Sequence, residues 1–212
     1  MKLSLLRFAK TYLLILIAIS SLQGCAHSQI YKVDEDYFFR VTSSDSLGLI
    51  NKSDTFKMKI TNSFKLAILG LQKAEWTNLG TGEKELRGIT NNSKTIEIEP
   101  PYKLLHGFLT LLAPYPSASL PLGIGYSFEA THSFYYSDFK EKGVTQTTTV
   151  KSIDSLLFHG HKISTWFFVG NNNSHFKKYG KNIIEYWFNE SIGFIKWKYY
   201  FPNGKTITFE KL

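Results

Sequence analysis

The residues best placed to do chemistry are His159, Gly160 and His161. On a strand, side chains two positions apart point to the same face, so His159 and His161 could share a metal ion, with His175, His132 or Asp154 as a third ligand. The intervening glycine argues for a turn instead, and the other candidates follow no metal-site spacing. The expectation is therefore surface histidines and no metal. His132 falls on the apolar side of its own stretch, with Glu129 on the other side, so the two make no dyad. Asp34, Glu35 and Asp36 lack the spaced oxygen ligands and glycine of a calcium loop. There is no G-x-S-x-G elbow, phosphate-binding loop or H-E-x-x-H pair. A hydrolase centred on histidine is kept as the minor alternative. It requires His132, His159, His161 or His175 to converge with a carboxylate.

The chain's single thiol has a different setting. Lys2, Arg7 and Lys10 form a basic start, Leu13 to Ile19 an apolar run, and Ser20, Ser21 and Gly24 a small-residue region ahead of Cys25. This is the order of a secretory signal. The apolar run is far shorter than the roughly 20 residues that span a bilayer. Leu22-Gln23-Gly24-Cys25 resembles the lipobox of bacterial lipoproteins. The resemblance implies a signal peptide over residues 1–24, cleavage before Cys25 and acylation of its thiol. Two or three acyl chains on one residue give lasting membrane anchorage where one chain is marginal. Ala26, in place of an aspartate, implies an outer-membrane destination facing the periplasm.

Removing the signal leaves 188 of 212 residues, enough for one sizeable core. The signal holds three basic and no acidic residues, so the formal charge falls from +8 to +5. That excess suits an anionic membrane surface, and with no Lys/Arg block it argues against nucleic acid. With no second cysteine, the mature chain has no disulfide, so its stability must come from packing. The 17 Phe, 12 Tyr and 4 Trp favour pleated, half-buried structure.

Residues 25–32 read as a lipidated tether and 33–212 as one domain. Strands are expected at Asp36–Thr42, Thr55–Thr61, Thr95–Glu99, Tyr126–Tyr136, Val144–Val150, Lys162–Val169, Ile183–Phe188, Phe194–Phe201 and Lys205–Leu212. Ser43–Asp54 reads as loop, and Thr-rich Val144–Val150 as two-sided or an edge. Pro202-Asn203-Gly204 reads as a three-residue hairpin loop, because only that register pairs Tyr199 with Ile207 and Trp197 with Phe209 on one apolar face. The fold class is mainly β: a single antiparallel sheet, curved or barrel-like, with at most one or two short helices.

Leu104, Phe108 and Leu112 lie at helical spacing between Pro101 and Pro114. They are candidates for a lid over an apolar ligand lined by Phe128, Phe134 and Trp166, with core packing as the plainer reading. Tyr186-Trp187-Phe188, Gly193-Phe194-Ile195-x-Trp197-x-Tyr199 and Ile207-x-Phe209, together with Ala113-Pro114-Tyr115-Pro116 and Gly123-x-Gly125, resemble uncharacterised bacterial lipoproteins ending in a β-meander. That resemblance implies no catalytic residues. A looser fold analogy is the half-barrel of periplasmic lipoprotein carriers. The expectation is a non-enzymatic, cofactor-free envelope lipoprotein, anchored by its lipid and binding a lipid-like ligand or an envelope protein. The alternative is a purely structural or assembly protein whose aromatics are all core.

Overall fold

The computed structural model describes residues 29–61, 72–101, 103–105, 114–132, 144–172 and 182–212, and contains no helix among them. Twelve strands follow in chain order. They are β1 (Asp36–Ser44), β2 (Ile50–Thr61), β3 (Gln72–Asn78), β4 (Lys84–Asn91), β5 (Thr95–Ile98), β6 (Ser117–Ser119), β7 (Ser127–His132), β8 (Val144–Phe158), β9 (His161–Asn172), β10 (Ile183–Asn189), β11 (Gly193–Tyr200) and β12 (Thr206–Lys211). They form one sheet in the order β6-β5-β4-β3-β2-β1-β12-β11-β10-β9-β8-β7, and every neighbouring pair is antiparallel. The sheet splits into two meanders, β1 to β6 and β7 to β12, joined where β1 meets β12. Residues 120–126 carry the chain from one edge strand, β6, to the other, β7. The sheet curls accordingly into a nearly closed barrel.

The curl follows from what the strands bury. Along β10, β11 and β12, buried and partly exposed residues alternate, as a strand with one face inside requires. Of the twelve largest fully buried side chains, all but Met58 are aromatic. Trp197 stacks on Phe209 at 4.6 Å, Phe39 meets Trp76 at 5.5 Å and Trp197 at 5.1 Å, and Phe168 stacks on Tyr186 at 4.7 Å. Fully burying one such ring contributes roughly 1.5–3 kcal/mol, so these contacts replace the disulfide that the sequence lacks.

Two buried amides hold irregular segments against this interior. Gln146 on β8 accepts from Tyr115 N at 2.6 Å and donates to Tyr115 O at 2.8 Å. Asn91 on β4 accepts from Tyr31 N at 3.4 Å and donates to Tyr31 O at 2.6 Å. Each amide supplies the donor and acceptor that a neighbouring strand would otherwise supply. The Gln146 clasp, with Tyr186 donating to Ser117 O, ties the segment beside β6 to the other meander. Residues 30–32, read from the sequence as the end of the tether, belong to this packing. Tyr31 is wholly buried and its Oη accepts from Phe194 N. Gly193 permits the approach: its φ is +88° and a Cβ there would collide with the Tyr31 ring.

The C-terminal hairpin has the expected register, with Tyr199 opposite Ile207, Trp197 opposite Phe209, and Gly204 at φ +78°. Two expectations are corrected. Ile50–Asp54 is strand rather than loop, held by backbone pairing with β1 although Ile50 to Ser53 are exposed. Val144–Val150 is no edge: it is the first half of a 15-residue strand lying between β7 and β9.

Candidate functional site

The residues proposed from sequence do not form one described site. Leu104 is buried in the main core, and its N–H, with that of Lys103, donates to the Glu85 carboxylate. Burial pushes Glu85 above the usual carboxylate range, while those two amides and Arg87 pull the other way. Phe128 and Trp166 are half-buried and pack against the core from different strands. Cys25, Phe108, Leu112 and Phe134 lie outside the described residues, as does His175.

The histidine pair is explained by its turn. Phe158 pairs with His161, leaving His159 and Gly160 as a two-residue hairpin loop with φ of 48° and 80°. This is the primed turn that matches strand twist. His159 stacks on Phe158 at 4.0 Å, and both histidines are exposed. Asp154, the suggested third ligand, instead accepts from Ser152 Oγ at 2.6 Å and Trp187 Nε1 at 3.1 Å. No group of three metal-ligating side chains occurs among the described residues. The acidic cluster is spent on ion pairs: Asp34 with Lys59, Glu35 with Lys32 and Asp36 with Lys57.

What the structure adds is a cleft that sequence reasoning missed. A bulge between Val150 and Ser152 separates the inner half of β8 from an outer half. That outer half, Ser152–Phe158, pairs with His161–Phe167 of β9 to make an arm. A cleft of about 240 Å³ lies between the arm and the neighbouring strands. Leu156, Leu157, Phe158 and His159 line it from the arm, and Arg40, Ile195, Lys196, Glu210, Lys211 and Leu212 from β1, β11 and the C-terminus. Arg40 and Lys196 are the register partners of Glu210 on its two sides, so an acid sits between two cations.

Lys211 is the most perturbed of these groups. Its Nζ donates to Ile192 O at 2.7 Å and lies 5.4 Å and 5.0 Å from the ring centres of Tyr31 and Tyr37. Burial pushes the amine down to about 8, against the attraction of Glu35. The amine is thus pinned between a carbonyl and two rings. It ties the N-terminal segment to β12 and has no described nucleophile or acid–base partner in the cleft. The cleft is amphipathic, with an aliphatic arm over a largely cationic floor.

No family model and no curated protein matches the chain. Among solved structures it is similar to the hypothetical lipoprotein YmcC from Escherichia coli, at 8% identity and a TM-score of 0.46, over 87% of this chain and 90% of that one. It is also similar to a candidate lipoprotein from Parabacteroides distasonis, at 12% identity and a TM-score of 0.48, over 87% and 98% of the two chains. A third is a candidate exported protein with a YmcC-like fold from Bacteroides fragilis, at 8% identity and a TM-score of 0.44, over 86% and 97%. Likeness at this level carries no functional argument, so the functional reading rests on the chain's own residues.

Proposed function

We propose that this is a non-enzymatic envelope lipoprotein, anchored through Cys25 in the outer membrane and facing the periplasm, whose β domain works through its surface in assembly. The observation that carries the reading is the dense aromatic packing among the described residues. Trp76, Trp197, Tyr186, Tyr199, Phe168 and Phe209 are fully buried against one another, so the aromatic surplus serves as core. A carrier of acyl chains would need those rings to line an open groove. The anchor itself rests on the order of basic, apolar and small residues ahead of Cys25.

Two measurements test this. Metabolic labelling with a palmitate analogue should mark the full chain and leave the Cys25→Ser variant unmarked; an unmarked parent chain would end the lipoprotein reading. A native mass spectrum of the Cys25→Ser variant should show the bare protein mass. A reproducible adduct of lipid size would instead favour the carrier reading, and with it the lid residues Leu104, Phe108 and Leu112.

A further inference from the structure

We infer that the outward face of the β8–β9 arm is a second membrane contact, laid into the anionic headgroup region of the same bilayer that holds the Cys25 lipid. This rests on the anchor proposed above. The first observation is an apolar face on the arm. Pairing places Ile153 opposite Trp166 and Leu157 opposite Lys162, so these four side chains share one face. Leu156, Phe158, Ile163 and Thr165 share the other. Leu157 is 72% exposed and Ile153 52% exposed. Trp166 is half-buried, with its Nε1 donating to Glu190 at 3.0 Å.

The second observation is the charge around that face. Lys151 at the bulge and Lys162 near the tip are exposed, and neither is ion-paired among the described residues. The carboxylate of Glu190 is engaged by Trp166 Nε1. Aliphatic residues with a tryptophan and flanking lysines form the composition that settles at a bilayer interface, where rings and ammonium groups stay at headgroup depth.

The third observation is where the chain enters. Ile30 packs against Gly193, and a Cβ at Gly193 would lie 2.9 Å from Ile30 Cγ2. The same 189–193 turn also holds the base of the arm, through Asn189 Nδ2 donating to Ser164 O at 2.9 Å and through Glu190, which accepts from Trp166 Nε1. The described N-terminal segment and the arm therefore meet at one end of the barrel. Three residues separate Cys25 from Gln29, so the four Cα–Cα steps reach about 14 Å at full extension. The arm projects four residues beyond Thr165, roughly 13 Å. A tether that short brings the arm to the surface in which the acyl chains sit.

Cys25 is the sole cysteine and acylation consumes its thiol, so an added cysteine is the only labelling site. The acylated full chain carrying Leu157→Cys, and separately Asn203→Cys in the β11–β12 turn, is labelled with a polarity-sensitive fluorophore. Each is reconstituted in phosphatidylethanolamine–phosphatidylglycerol vesicles containing brominated lipid. Quenching should be several-fold stronger at position 157 than at 203, and should weaken when phosphatidylcholine replaces the anionic lipid. Adding Ile153→Asp to the Leu157→Cys chain should cut the quenching without moving the melting temperature, which shows that the arm still folds. Equal quenching at both positions in vesicle-bound protein overturns the inference and leaves the anchor standing. So does a position-157 probe shielded only when envelope proteins are added. A free Cys25 thiol and protein that does not float with vesicles would overturn both.

Discussion

The inner and outer halves of β8 and β9 are the same two strands under different conditions. In the inner half, Gln146, Thr148, Val150, Phe168 and Gly170 are buried between β7 and β10, and every strand has a neighbour on each side. In the outer half β8 loses β7 at once and β9 loses β10 beyond Trp166, so from Asp154 and Thr165 to the tip the two strands pair only with each other, and Leu157 stands largely in water. The bulge at Val150/Ser152 marks the change. The difference teaches that stability and interaction are divided along one hairpin: the barrel body uses its apolar groups for packing, and the arm leaves them available.

Substitutions in the body should break that contrast hardest. Trp197 stacks on Phe209 and touches Phe39 and Phe194. Trp197→Ala should destabilise by about 3–5 kcal/mol, the transfer of a large ring plus the cavity left behind. Urea unfolding would read it, and a loss below about 1 kcal/mol would mean that the interior is loosely packed.

Next in size is Gln146→Leu. It leaves both backbone groups of Tyr115 without their clasp, in a site where Gln146 has no exposure. Each orphaned buried group costs at least about 1 kcal/mol, so a loss of about 2 kcal/mol or more is expected, with early hydrogen exchange at Tyr115. Asn91→Leu is the matched control at Tyr31, where the longer 3.4 Å contact should make the loss smaller.

These residues also show what could be read from the sequence. The β11–β12 register was legible because one buried face repeats at every second residue, and only one loop length keeps Trp197, Tyr199, Ile207 and Phe209 together. Strand β4 was not, because Lys84, Glu85 and Arg87 mask the alternation. Glu85 is buried only because two N–H groups from the 103–105 turn reach it. The Thr-rich start of β8 read as an edge because Gln146 and Thr148 point inward, and their polarity makes sense only with Tyr115 in place. The bulge then reverses the pattern, hiding the arm. The cleft joins Arg40, Leu156, Lys196 and Glu210 from distant strands by register, which no local spacing reports.

The body should also set the pH dependence. Lys211 titrates near 8 when folded and higher when unfolded, so between those values the unfolded chain binds more protons and stability rises with pH. The slope is at most about 1.4 kcal/mol per pH unit for one proton. Tyr31, Tyr37, Tyr186, Tyr199 and Tyr200 are all pushed upward, mainly by burial. Above about pH 10 the unfolded tyrosines ionise first, and stability falls. A maximum near pH 10 is expected in denaturant midpoints, and Lys211→Met should flatten the rise from pH 8. A rise that survives that substitution would assign the titration elsewhere.

The smallest expected effect is the most informative about the arm. Leu157→Ala should change stability by less than about 0.5 kcal/mol, the range of surface substitutions, because its side chain is largely in water. Leu156→Ala should cost more, since Leu156 is only partly exposed and shares the arm face with Phe158. If the two variants melt alike, the arm's faces are equivalent and it stands clear of the barrel. If Leu156→Ala alone loses stability, one face fastens the arm to β11 and β12 while the other remains exposed. That asymmetry is what a surface held ready for a second phase requires, since an arm fixed from behind can present Ile153 and Leu157 without ordering itself anew on contact.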